Sequence, residues 1–170
     1  HADPAEEHRR ADVDRTGAVR VQLEVPARLV DRDDRRRSQP FEAALRADAP
    51  RLYMTNSGIH NPTGATLSAA TAHRLLLLAE GSDLVIVEDD IFADFETSPA
   101  PRLAAFDGLA RVIQIGSFSK TVSASLRCGY IAARGDWIES LADLKIATSF
   151  GGGRLAAEAV RIALTDSGYR

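Results

Sequence analysis

The chain has 170 residues, 26% of them charged, with a formal net charge of −3 and a pI near 5.8. That length supports one sizeable core and is too short for two ordinary domains, and an acidic balance with 19 scattered arginines excludes wrapping of nucleic acid by this segment. A single cysteine, Cys128, excludes an internal disulfide and points to a reducing compartment, so the expected location is the cytoplasm. The most apolar helical run, Leu75 to Ala79, is far shorter than the ~20 residues a bilayer needs, so no membrane contact is expected. The charged N-terminus lacks a signal-peptide pattern. The chain opens on His1 and not Met, which reads as a fragment of something longer or as a displaced gene boundary. No metal site is expected.

Residues 1–40 stand apart, with nine arginines, nine acidic residues and no lysine. They show no core-forming period beyond the alternating stretch from Val19 to Val25, a candidate strand. The segment is expected to be disordered or poorly packed. Its run Asp31-Arg32-Asp33-Asp34-Arg35-Arg36-Arg37 reads as a solvated linker, with a phosphate-binding or DNA-binding arm as the weaker alternative.

From 41 to 170 the pattern becomes that of an α/β domain. Phe41 to Ala47 predicts a short helix, and Arg51 to Thr55 a strand ending in the loop Asn56-Ser57-Gly58-Ile59-His60-Asn61-Pro62-Thr63-Gly64. Ser68 is the expected N-cap of a helix with Leu75, Leu76 and Ala79 on its apolar side and Gly81 at its end. Leu84 to Val87 is a continuous apolar run, as in a buried parallel strand, and it stops at Glu88-Asp89-Asp90. Arg111 to Ile115 predicts the next strand, leading into Ser117-Phe118-Ser119-Lys120, and Gly129 to Ala133 predicts another. Asp136 is expected to cap a helix through Ile146, and a further helix runs from about Arg154 to Leu164. Between them Ser149-Phe150-Gly151-Gly152-Gly153 reads as a flexible turn, a phosphate nest being the other reading. Alternating strands and helices predict a mostly parallel sheet.

In open α/β sheets ligands collect at the carboxyl ends of the strands. Three successive strand ends here carry Asn61, Asp89 and Lys120. Each alone is weak: the NPTG sequence fits an ordinary turn, a strand-end Asp often caps a helix, and a surface lysine is usually just solvated. Together they match what pyridoxal phosphate asks of a protein. Lys120 offers an amine for a Schiff base and for proton transfer. Asp89 offers a carboxylate to keep the pyridine nitrogen protonated, Asn61 an amide donor for the phenolic oxygen, and Ser117, Ser119 and Arg127 hydroxyls and a forked cation for the phosphate.

From about Pro50 to its end the chain resembles the large domain of the fold-type I pyridoxal-phosphate enzymes, the class I and II aminotransferases. The matching stretches are HNPTG at 60–64, VEDDIFADF at 87–95 and SFSKTVSASLRCGYI at 117–131. The resemblance implies a partial three-layer α/β sandwich with a mostly parallel sheet and residues 41–170 as a partial cofactor-binding domain. It makes Lys120 the catalytic Schiff-base lysine, with Asp89 on the pyridine nitrogen, Asn61 on the phenolic oxygen, and Ser117 with Arg127 at the phosphate. It also implies a cis peptide at Asn61-Pro62, an amino acid or 2-oxo acid as ligand, and a homodimer. Within that superfamily VEDDIFADF and LKIATSFGGGRLAAE at 144–158 resemble the aminotransferase-like domain of MocR-type regulators of the GntR group, which carry a winged helix-turn-helix ahead of this domain. No helix-turn-helix is visible in these 170 residues.

The chain departs from the family in three places. Ile91 and Phe92 stand where the family has a tyrosine that helps hold the phenolic oxygen. Residues 1–40 hold no match for the family's phosphate-gripping turn or its ring-stacking aromatic. The arginine that binds the substrate carboxylate would lie beyond Arg170. Turnover by the isolated chain is therefore not expected. Among other residues, His60 is read as a structural hydrogen-bonder, Cys128 as a small buried apolar group, Trp137 and Phe118 as packing residues and Lys145 as exposed. Glu88 and Asp90 are read as capping the following turn or orienting Asp89. Three functions compete: an aminotransferase, the effector-sensing module of a MocR-type regulator, and an inactive truncated remnant.

Overall fold

A computed structural model of the protein describes residues 9–13, 19–23, 34–150 and 152–166. Most of the 1–40 segment, including residues 31–33 of its charged run, lies outside the described residues. Among those described, six strands form one sheet in chain order: β1 (Arg9–Val13), β2 (Val19–Leu23), β3 (Leu52–Thr55), β4 (Val85–Asp89), β5 (Val112–Ser117) and β6 (Gly129–Ala132). The pairs β2 with β3, β3 with β4 and β4 with β5 are parallel, while β1 with β2 and β5 with β6 are antiparallel. The fold is α/β with a mostly parallel sheet, as the alternating pattern predicts.

Helices α1 (Asp34–Asp48), α2 (Ala69–Glu80) and α3 (Leu103–Asp107) cover one face of that sheet. On α2, Ala72, Leu75, Leu76 and Ala79 recur at the spacing of a single helical stripe and are all buried. They meet Tyr53, Ile86 and Val112, which the strand register places side by side on β3, β4 and β5. Phe41 of α1 closes this core edge-on against Tyr53, with ring centroids 4.9 Å apart. Each fully buried aliphatic side chain contributes about 1.5–3 kcal/mol. The alternate residues Leu52, Met54, Val85, Val87, Ile113 and Ile115 point to the opposite face and are only half-buried. After β6 come α4 (Gly135–Ser149) and α5 (Arg154–Thr165).

Ser68 caps α2 as expected, its Oγ accepting from the Thr71 amide at 3.1 Å, and Gly81 ends the helix. Other elements differ from the expectation. Helix α1 begins at Asp34, so the latter part of the charged run is helical and not linker; arginine is a good helix former, and the Phe41 turn that docks on Tyr53 anchors the helix. Asp136 does not cap α4. The helix begins one residue earlier, leaving Asp136 in its first turn paired with Arg134 at 2.9 Å. Helix α3 was not foreseen. Its end is marked by Gly108 at φ +65°, whose amide bonds to Ala104 O, and Asp107 Oδ2 then accepts from the amides of Arg111 and Val112 that open β5.

Among the described residues no helix is long and apolar enough to cross a membrane, and no three His, Cys, Asp or Glu side chains are grouped to hold a metal ion.

Candidate functional site

All six predicted site residues lie at the carboxyl ends of β3, β4 and β5 or on the loops that follow them. Asn61 is on the loop after β3. Its peptide bond to Pro62 is cis, as the family resemblance implies. Bonds from Gly64 N to His60 O (2.7 Å) and from His60 N to Ala65 O (2.9 Å) close the loop around it. His60 Nδ1 meets Thr63 Oγ1 at 2.8 Å, the structural role expected of it. Asn61 itself is exposed.

Asp89 is the last residue of β4, and its Oδ1 accepts from Ile91 N at 3.1 Å. Asp89 stands opposite Ile115 in the parallel register, and Ser117 follows two residues along β5. Strand alternation therefore puts Asp89 and Ser117 on the same face, opposite the helical core. The loop from Asn56 is tied to this point by its own side chain, since Asn56 Nδ2 donates to Asp89 O at 3.1 Å.

Ser117 lies within β5, which runs two residues further than predicted. Its Oγ donates to Ser119 Oγ at 3.0 Å and accepts from Ser119 N at 3.2 Å. The chain then turns through exposed Lys120 and a short 3-10 segment, Ala124–Leu126, to Arg127 in the left-handed region at φ 49°. Because β6 is antiparallel to β5, with Gly129 opposite Ser117, this turn brings Arg127 back to the strand end it left. A bond from Phe118 N to Cys128 O at 3.0 Å closes it. The lysine, the two serines and the arginine thus share one closed loop beside Asp89.

The residues flanking Asp89 point the other way. Glu88 is fully buried, and its carboxylate accepts from the amides of Leu103 (2.8 Å) and Ala104 (2.9 Å) at the start of α3, and from Ser57 Oγ. Asp90 pairs with Arg102 Nε at 2.8 Å and accepts from Gln114 Nε2 at 2.8 Å. Arg102 also holds Glu96 at 2.6 Å. Burial lowers the proton affinity of Arg102, but hydrogen bonds and charge from Asp90 and Glu96 outweigh it and leave its pKa raised. The turn after β4 is capped by Asp89, not by its neighbours. Ser57, Arg102 and Gln114 were not foreseen as contributors. The readable signal was the acidic triplet itself, since on a strand its outer members must share the face that its middle member leaves.

A cleft of about 330 Å³ is bordered by Asp90, Asp94, Phe118 and Tyr130 among others. Of the predicted residues only Ser117 borders it. Tyr130 packs against Phe118, with ring centroids 5.9 Å apart. Its phenol pKa is raised, first by burial and then by Asp90 and Asp94, with Arg102 partly opposing. Trp137 packs under the Arg134 guanidinium at 4.1 Å, Cys128 is half-buried, and exposed Lys145 donates to Ser149 Oγ at 3.2 Å.

By its chemistry the donor set suits a phosphorylated pyridine aldehyde. An amine stands on the lysine loop, a carboxylate oxygen faces the open side of the sheet, and hydroxyls with a guanidinium occupy the β5–β6 turn. The phenolic side has Asn61 without a tyrosine, since Ile91 and Phe92 follow Asp89.

The family described as aminotransferase class I and II matches residues 35–169. The HTH-type transcriptional regulator NorG of Staphylococcus aureus is 37% identical over 111 residues, covering 65% of this chain and 25% of that protein. The uncharacterized HTH-type transcriptional regulator YisV of Bacillus subtilis is 36% identical over 120 residues, covering 69% of this chain and 25% of its own length. Among solved structures, LysN from Thermus thermophilus, an alpha-aminoadipate aminotransferase complexed with N-(5'-phosphopyridoxyl)-L-leucine, superposes with a TM-score of 0.69 at 28% identity, over 75% of this chain and 34% of that one. The chain thus spans about a quarter of the length of these regulators and about a third of that enzyme.

Proposed function

The chain belongs to the class I and II aminotransferase family, and we propose that it binds pyridoxal 5'-phosphate covalently through Lys120, in a domain that serves amino-group exchange between an amino acid and a 2-oxo acid in the complete protein. The observation that supports this reading is that Asn61, Asp89, Ser117, Lys120 and Arg127 lie at the carboxyl ends of β3, β4 and β5 or on the loops that follow them, with Asp89 and Ser117 on the same face. When bound, the cofactor supplies an electron sink for charge developing on the substrate α-carbon. Asp89 holds the ring nitrogen in its protonated form, and the Asn61 amide donates to the phenolic oxygen. Ser117 and Ser119 donate hydroxyls to the phosphate while Arg127 supplies the matching charge. Lys120 would supply the amine that tethers the cofactor and an amine able to accept a proton. A second copy of the chain is the partner in this reading, as a homodimer.

The test is direct. Protein incubated with excess pyridoxal phosphate should turn yellow, and borohydride should bleach it while fixing a phosphopyridoxyl group on the peptide containing Lys120. Lys120→Ala should abolish both signals. A wild-type chain that stays colourless overturns the proposal.

A second reading is favoured by one observation: NorG and YisV, at 37% and 36% identity, are described as HTH-type transcriptional regulators, whereas LysN is 28% identical. In this reading the same cofactor site senses an amino-acid effector in a MocR-type regulator, and DNA is contacted by another part of the protein. A parent reading frame that encodes no helix-turn-helix would rule it out.

A further inference from the structure

The run Glu88-Asp89-Asp90 sets three carboxylates on consecutive residues, and strand alternation divides them between two faces. Asp89 turns to the open face with Ser117. Glu88 and Asp90 turn to the helical side, where, among the described residues, their side chains bond to groups outside β4. Glu88, 0% exposed, joins the start of α3 to Ser57. Asp90 joins Arg102, the residue before α3, to Gln114 of β5.

Ser57 matters because it is the root of the loop that carries Asn61. It is 1% exposed, and its carbonyl accepts from Leu67 N at 2.8 Å on the far side of the same loop. Gly58 beside it lies so close to Glu96 and Arg102 that an added Cβ would collide with the Glu96 carboxylate. The loop is therefore gripped at its base by groups that belong to β4 and the segment after it.

We infer that Glu88 is a positioning residue for the cofactor site: its carboxylate fastens the base of the Asn61 loop to the residue next to Asp89, and so fixes where the Asn61 amide stands relative to the Asp89 carboxylate. The inference rests on the reading that these two side chains hold opposite edges of one pyridoxal ring. A carboxylate suits the position because it is acceptor-only, and all three of its partners are donors. A glutamine would turn an NH2 group toward one of them. Removing the Ser57 hydroxyl is the more selective cut, since it leaves both helix amides satisfied.

Donation from Asn61 stabilises negative charge on the phenolic oxygen and so lowers the pH at which the bound chromophore changes its absorbance. The experiment titrates that absorbance in the full 170-residue chain saturated with pyridoxal phosphate, with thermal unfolding measured alongside. Asn61→Ala should raise the midpoint by about one pH unit. Ser57→Ala and Glu88→Gln should move it the same way by a smaller amount, and Ser57→Ala added to Asn61→Ala should move it no further. If Ser57→Ala lowers the unfolding temperature but keeps the wild-type midpoint, the residue pair is merely structural and the inference fails while cofactor binding stands. If the wild-type chain takes up no cofactor, the binding reading fails and carries the inference with it. Should Glu88→Gln not fold, Ser57→Ala decides.

Discussion

Gly58 shows how closely the β3 loop is fitted to its surroundings. Any side chain there would meet the Glu96 carboxylate and the Arg102 guanidinium, which are themselves held together at 2.6 Å. Gly58→Ala is expected to destabilise the chain by about 1–3 kcal/mol, because it must push apart a half-buried ion pair; urea unfolding measures it, and a change below a few tenths would contradict the packing. The candidate site residues could be proposed from the sequence because each chemical role demands a particular side chain: an amine, a carboxylate at a strand end, an amide in an NPTG turn. Ser57, Arg102 and Gln114 were not legible, since an ordinary serine, arginine or glutamine acquires its role only from a partner many positions away. Asp90 lies 24 residues from Gln114 and Glu88 lies 31 from Ser57.

Among the elements, α2 was read most completely because everything that makes it a helix is local. Ser68 supplies the cap, the stripe Ala72, Leu75, Leu76 and Ala79 supplies the buried side, and Gly81 supplies the stop. Ser68→Ala should cost about 1 kcal/mol, measured by denaturant unfolding with the slope unchanged. Helix α3 shows the opposite case. It has five residues, its N-cap Arg102 makes no side-chain cap bond, and its first amides are satisfied by Glu88 from β4. No local pattern announces such a helix. Asp136 misled for a related reason: acidic residues suit a helix's first turn as well as its cap, and the pairing with Arg134 decides between them.

Across the molecule, the core is a single apolar layer between α1 to α3 and one face of the sheet, and Tyr53 is its largest fully buried side chain. Burial raises the Tyr53 phenol pKa, with a hydrogen bond from Thr55 only partly offsetting it. The sign follows from linkage. Below the ordinary tyrosine value of about 10 the phenol is protonated folded or unfolded, and its contribution is intact; above it the unfolded chain ionises first, so stability falls as pH rises through the raised folded value. Unfolding followed from about pH 8 upward should show this loss, and Tyr53→Phe should reduce its slope. A slope unchanged in the variant would place the titrating group elsewhere.

The sequence by itself determined the α/β class, the order of the main strands and helices from Phe41 onward apart from α3, and which side chains are candidates for a cofactor site, because hydrophobic period, caps and the chemistry of individual side chains are properties of short stretches. Only the tertiary structure decided that Glu88 and Asp90 turn away from Asp89 and grip α3, Ser57, Arg102 and Gln114. It also decided that Arg127 returns to the strand end from which Lys120 departs. Those outcomes depend on strand register and on contacts between residues distant in the chain, and no local pattern encodes them.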